Sequence, residues 1–350
     1  MNPHQVAVVV TGRDRDGTLA RCLRSVRAAD WRELPVELLY ATDDPHGADA
    51  MRAVHHGARV VAVEPRTTIR AIPARTCAGP AVTRAALRNA GWRASGAGAV
   101  LFLGADTLLD RAFPKRALAR LEAAGCAAVR GQCREALPHQ SPYAAVVDLD
   151  GLMPSGDALD RAGNALFRRA ALEEVGGFDA NLADGEAADL CRRLAARRWW
   201  VDEPAIPMTR HDDVLTGFRD YWRRAVRIGT AYAAADARCA GRAAFPHGYA
   251  PQRNRAYGSA LGVAALLLAV TLALAPAAAW GLVALFGAAL LHTAWRARPS
   301  AGDWRLATLY ALHAHLQQLP ILYGQLAYRR RHAAAARPRR APRHLPGGVR

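Results

Sequence analysis

Leu261 to Trp295 is a run of 35 residues with no charged side chain and a single histidine. A chain cannot leave such a run in water, and a membrane-spanning helix needs only about 20 apolar residues. The run therefore accommodates two short spans, with Pro276 near the turn between them. The alternative is a buried hairpin in a soluble domain. Residues 304–328 are less apolar: His313, His315, Gln317, Gln318 and Pro320 favour one interfacial or re-entrant helix over a third span. Arginine-rich stretches precede residue 258 and follow residue 328. The positive-inside rule puts both on the cytoplasmic side, which two spans satisfy. The expected organisation is a domain over 1–235, a linker over 236–257, two transmembrane helices over 258–296, the interfacial helix, and a basic disordered tail over 329–350. That makes a multi-pass protein of the cytoplasmic membrane, with the domain and tail in the cytoplasm.

The net charge is +17, and Lys115 is the one lysine. Arginines cluster over 192–198, over 219–227 and from Arg329 to Arg350. A nucleic-acid surface would add base-reading or stacking residues to such clusters. Here they flank an apolar block, which suits membrane lipids with anionic headgroups, and no nucleic-acid partner is expected. The six cysteines show neither Cys-x-x-Cys pairs nor zinc spacing and read as reduced thiols. Met1-Asn2-Pro3 leads straight into a strand pattern, so no secretory signal is expected.

The first 235 residues alternate between strand and helix patterns. Val6 to Val10 is a Val-rich run that reads as a buried parallel strand. Thr18 to Ala29 carries a helical stripe of Leu19, Cys22, Leu23 and Val26. Further strands are expected at Val36–Tyr40, 59–63, 100–103 and 165–168, with an edge strand at 205–209. Helices are expected at 80–94, 114–124, 169–175 and 186–197, and an amphipathic one over 215–235. Residues 131–160 show no period and read as a long, partly irregular segment. Such alternation predicts an α/β fold with a mainly parallel sheet. Ligands in these sheets sit beyond the carboxyl ends of the strands, where Thr11-Gly12-Arg13, Asp43-Asp44 and Gly104-Ala105-Asp106 fall.

Several short motifs recur in one order: Val6–Val10 with Leu19 to Val26, Arg88-Asn89-Ala90-Gly91, Phe102 to Asp106, Gly163 to Arg169, Gly176-Gly177-Phe178-Asp179, Gly185-Glu186 with Asp189-Leu190, and His211. Together they resemble the family 2 glycosyltransferases, over roughly residues 5–235. The resemblance implies the A-type nucleotide-sugar-binding α/β fold and inverting transfer of a sugar from a nucleotide-sugar donor, a UDP-sugar by preference. The acceptor would be lipid-linked or a polysaccharide. It implies that Asp106 holds a divalent metal, Mg2+ or Mn2+, against the diphosphate, with His211 near the same ion. Thr11, Arg13 and Asp43 would line the nucleoside, and Arg88 would assist the diphosphate. An inverting transfer needs a carboxylate to take the acceptor's proton. Glu186 is the candidate, with Asp189 one turn on along the same face and Asp184 as an alternative. Two acids of the family pattern are replaced, by Gly104 in Asp-x-Asp and by Ala187 in Glu-Asp. A catalytically reduced partner subunit of a polysaccharide assembly complex is therefore the alternative reading.

Overall fold

The computed structural model describes residues 2–64, 82–152, 163–182, 185–211, 215–239 and 251–336. Ten strands and twelve α-helices are found among them. In order they are β1 (Asn2–Thr11), α1 (Thr18–Arg27), β2 (Val36–Thr42), α2 (Ala48–His55), β3 (Arg59–Ala62), α3 (Arg84–Arg93), β4 (Ala97–Gly104) and β5 (Thr107–Leu109). Next come α4 (Phe113–Ala124), β6 (Ala128–Val129), β7 (Gln132–Glu135), α5 (Pro142–Leu152), β8 (Ala165–Arg168), α6 (Arg169–Val175), α7 (Glu186–Ala196), β9 (Val201–Asp202) and β10 (Pro207–His211). The last five helices are α8 (Phe218–Cys239), α9 (Pro251–Leu274), α10 (Pro276–Ala301), α11 (Trp304–Leu316) and α12 (Gln318–Ala336).

The main sheet has the order β3-β2-β1-β4-β8-β6-β9. Strands β3, β2, β1 and β4 run parallel, while β8 runs antiparallel to β4 and β6. Val6, Val8 and Val10 pack on one side with Leu19, Leu23 and Leu101. Ala7 and Val9 pack on the other with Trp92, Val100 and Phe102. Burial on both faces explains why these strands are continuous apolar runs rather than alternating ones. The chain winds outward from β1 through β2 to β3, then returns to place β4 on the opposite side of β1. That reversal is a topological switch point, and it opens the crevice in which ligands bind. A second, three-stranded sheet of order β5-β10-β7 stands against the end of β4.

The structure departs from several expectations. Strand β10 is the middle strand of the small sheet, not an edge. Residues 131–160 contain β7 and the apolar helix α5, which is packed between β7 and the helices α10 and α11. Helix α2 was not foreseen: it buries Ala50 and Ala53 and exposes Met51 and Val54, so its apolar period points outward. Two helices, α11 and α12, occupy the stretch where one was expected, and α12 continues through Ala336 into the expected tail. Helices α8 and α9 likewise extend into the expected linker from both sides. Both α9 and α10 are long and apolar enough to cross a membrane, and only 6% and 11% of their apolar windows are buried. Most of the large apolar residues between Val263 and Trp295 are exposed, the reverse of a soluble core hairpin.

Candidate functional site

The crevice is built by the ends of β1 and β4. Thr11 is in register with Gly104, and the Ala105 N–H donates to the Thr11 carbonyl at 2.9 Å. Gly12 has φ +117°, and a β-carbon there would lie 3.4 Å from that of Ala105. Glycine is required both by the backbone and by this close approach. The Tyr40 hydroxyl donates to the Gly12 carbonyl at 2.8 Å; burial pushes its pKa up to about 12, so it stays a donor. Thr11 is buried, and its Oγ1 has no hydrogen-bond partner among the described residues. An orphaned polar atom at a strand end is a group kept for a ligand or an ordered water. Arg13 is exposed and lies 3.8 Å from Asp43. The two form a loose surface pair at the mouth, opposite Asp44, whose N–H is held by Thr42 Oγ1 at 3.1 Å.

Asp106 stands just beyond β4. A β-carbon at Gly104 would lie 2.5 Å from Asp106 Oδ1, so the Asp106 carboxylate fills the space that a side chain at 104 would occupy. The turn beneath it is fixed. The Gly104 N–H donates to Asn164 Oδ1 at 3.2 Å, and the Gly104 carbonyl accepts from Thr107 Oγ1 and, at 3.4 Å, from Cys22 Sγ. His211 ends β10 in register with Thr107, the residue after Asp106. No three potential metal-ligating side chains converge among the described residues. A hard divalent cation nevertheless needs only one or two protein ligands when diphosphate oxygens and water complete its shell. Asp106, in the turn between β4 and β5, and His211, at the end of β10 beside β5, are the residues that would hold it.

The acids of α7, Glu186 and Asp189, lie in its first turn. Glu186 is buried, accepts from Arg88 Nη1 at 3.0 Å and lies 3.5 Å from Arg84. Arg88 is 2% exposed, stacks over Phe178 at 5.3 Å, and has its pKa lowered to about 10 by burial against the opposing pull of Glu186. The Arg88 Nη2 also fills the space next to Gly163, where a β-carbon would lie 2.7 Å away. Asp189 accepts from Arg192 at 2.9 Å and from Arg193 at 2.7 Å. Arg193 in turn bonds the Val175 carbonyl at 2.7 Å. Glu186 thus ties α7 to α3, and Asp189 ties it to the end of α6. Both carboxylates are engaged by arginines, Glu186 by Arg88 of α3 and Asp189 by Arg192 and Arg193 of its own helix. Asp184 lies outside the described residues.

Neighbouring motif residues do similar work. Asn89 takes the Phe178 N–H at 2.9 Å and donates to the Phe178 carbonyl at 2.6 Å. Gly177 has φ +76°, and a β-carbon there would meet Asn89 Oδ1 at 2.5 Å. Thr11, Arg13, Asp43, Asp106 and His211 lie at or just beyond strand ends, while Arg88 and Glu186 pair between α3 and α7. Asn164, which fixes the Gly104 backbone, was not singled out. Its signal was a polar residue at the mouth of an apolar strand.

No protein-family model matches the chain, and no curated protein does. Among solved structures, it is similar to mannosyltransferase PcManGT from Pyrobaculum calidifontis, in complex with GDP-Man and Mn2+. Identity is 20% over 93% of this chain and 88% of that one, with a TM-score of 0.59. This is the A-type glycosyltransferase fold. Weaker likenesses to the same fold run to glucosyl-3-phosphoglycerate synthase from Mycobacterium tuberculosis in complex with Mg2+ and UDP (15% identity, 68% of this chain, 80% of that one, TM-score 0.45). S. aureus TarS is similar at 12% identity over 65% of this chain and 39% of that one, with a TM-score of 0.43. The fold assignment rests on the first.

Proposed function

We propose that the protein is a membrane-anchored inverting glycosyltransferase. It moves a sugar from a nucleotide-sugar donor to a lipid-linked or polysaccharide acceptor at the cytoplasmic face. The observation that carries this is Asp106 at the β1/β4 switch point of an A-type fold, with His211 one strand away. Thr11 presents its buried hydroxyl to the nucleoside, and Asp43 and Arg13 frame the mouth. Asp106 and His211 would hold a divalent cation, which neutralises charge on the departing diphosphate. The Arg88–Glu186 pair holds the start of α7 under the donor. Helices α9 and α10 span the bilayer, with the arginine-bearing ends of α8, α9, α10 and α12 at the cytoplasmic surface. UDP-sugars are the expected donors, and the GDP-Man bound by the mannosyltransferase of similar fold makes GDP-sugars the second class.

A second reading has its own observation. With Gly104 and Ala187 in acid positions and Glu186 engaged by Arg88, the chain would be a nucleotide-sugar-binding partner subunit of a polysaccharide assembly complex. Titration of detergent-purified protein with UDP and GDP, with and without Mn2+, tests the site. Metal-dependent binding that disappears in Asp106→Asn supports it, and absence of binding by either nucleotide refutes it. Metal-dependent donor hydrolysis then separates the enzyme from the binding subunit.

A further inference from the structure

We propose that Phe218 and Trp222, at the head of α8, insert into the headgroup layer of the membrane beside the two spans. The placement rests on α9 and α10 crossing the bilayer, and its consequence for the acceptor rests on the transfer reading above. The level of these side chains follows from the α9–α10 hairpin. His315 of α11 bonds Tyr257 of α9 through one ring nitrogen and Thr293 of α10 through the other, the latter at 2.9 Å. Tyr257 and Thr293 stand equally far in sequence from Ala275, where the hairpin turns. At about 1.5 Å of rise per residue, both lie about 27 Å from that turn. The hydrocarbon core of a bilayer is about 30 Å thick, so His315 marks its cytoplasmic boundary. Ala297, about 33 Å from the turn, packs with Tyr310 of α11 and Leu149 of α5. His313 lies between Tyr310 and His315, and its Nδ1 bonds the Tyr221 hydroxyl of α8 at 2.8 Å. The head of α8 therefore sits at the same boundary.

Tyr221 is half-buried at this level, while Phe218 and Trp222 beside it are 57% and 38% exposed. They belong to one aromatic patch. The Phe218 ring lies 5.8 Å from Trp222 and 6.4 Å from Tyr143 of α5, and Tyr143 lies 5.3 Å from Tyr221. Two features of the same level point to lipid as the occupant. Trp295 on α10 is exposed about 30 Å from the hairpin turn, the level at which an aromatic belt meets the headgroups. Arg219 and Arg223 on α8 and Arg296 on α10 are exposed there as well, and cations at this depth meet anionic headgroups. On the other side of this level, the exposed apolar surface of α9 and α10 runs down to the turn. The anchored helix also touches the small sheet: Arg224 lies 4.0 Å from Glu135 of β7, and β7 pairs with β10. Insertion at Phe218 and Trp222 would hold the strand that ends in His211 next to the lipid surface. Of the acceptor classes proposed above, that position serves the lipid-linked one.

The test puts a nitroxide on the full chain, one site at a time, through Phe218→Cys, Trp222→Cys, Met51→Cys and Leu285→Cys. Each of the first two variants keeps the other aromatic ring, and the nitroxide ring is itself apolar. The protein is reconstituted into vesicles of equal parts phosphatidylcholine and phosphatidylglycerol, and the signal of the unsubstituted chain is subtracted. Paramagnetic resonance then reads the ratio of collisions with oxygen, which enters lipid, to collisions with a water-soluble nickel chelate. Met51, exposed on α2, is the aqueous reference. Leu285, exposed on α10 about 15 Å from the hairpin turn, is the hydrocarbon reference. The ratios at 218 and 222 should be several times that at 51 and below that at 285, as for side chains about 5–10 Å into the headgroup and acyl boundary. Ratios at 218 and 222 that match the one at 51, while 285 reads hydrocarbon, overturn the inference and give the patch to a water-borne partner. An aqueous ratio at 285 overturns the two-span reading itself, and the inference with it.

Discussion

Replacing Glu186 by glutamine should damage stability before it damages chemistry. The substitution keeps the shape of the side chain and an oxygen for the 3.0 Å bond from Arg88, but removes the charge facing a guanidinium that is 2% exposed. At that separation, with an effective dielectric constant near 20, the attraction is about 5 kcal/mol. Removing one partner of a buried pair costs about 3–5 kcal/mol, because the other charge stays buried and unpaired. Arg84 approaches Glu186 at 3.5 Å from an exposed position and is also cationic, so it cannot compensate for the loss. Arg88→Met should cost less, since Arg84 still faces the remaining carboxylate. The double substitution Arg88→Met with Glu186→Met should cost less than the sum, as contacting residues couple. For a domain of this size about 3 kcal/mol corresponds to a fall of roughly 6–12 °C in the thermal midpoint. Intrinsic-fluorescence melting of the detergent-solubilised protein reads that shift, with donor hydrolysis measured on the same samples well below the midpoint. A Glu186→Gln protein that melts within about 2 °C of wild type yet loses turnover about 100-fold would refute the strut and restore Glu186 as the base.

Three further outcomes are expected. Gly324→Val should separate α12 from α8, because a β-carbon at Gly324 meets the Val226 carbonyl while one at Gly229 meets the Ile321 carbonyl. Overpacking of this kind costs about 1–3 kcal/mol, and faster proteolysis between α8 and α12 reports it. Gly104→Asp should displace the Asp106 carboxylate from the space it fills and give the cation a second acid, so Mn2+ affinity measured by titration should rise. Cys22 should resist thiol reagents at pH 8, since burial and then the nearby Asp106 charge push its pKa up to about 12. Its proton is held longer in the folded chain than in the unfolded one. Its contribution to stability is therefore full below pH 9 and lost between about 9 and 12, and Cys22→Ala should flatten alkaline denaturation over that window.

The elements visible in the sequence are those whose burial leaves a one-dimensional mark. Strands β1 and β4 are buried on both faces and appear as unbroken apolar runs, and α1 buries one stripe. Helix α5 leaves no such mark: it is covered by β7, through Arg134 on Asp148, on one side and by Tyr310 and Ala297 on the other, so the helical period fades. The pairing of His211 with Glu135 is less legible still, because it joins segments 76 residues apart in sequence. Nothing local to Gln132–Glu135 announces its neighbours.

The motifs that carried the family resemblance explain why the fold was easier to read than the site. Asn89 clamps Phe178, Gly177 makes room for Asn89, and Arg88 holds Glu186. Each is demanded by packing between α3, α6 and α7, whatever reaction the crevice performs. The acids that the resemblance assigns to the reaction fall at a strand end and a helix start, and there the chain has Gly104 and a helix beginning Glu186-Ala187. A lost acid at either place leaves the scaffold intact. The geometry still leaves the Asp106 carboxylate in the space beside Gly104.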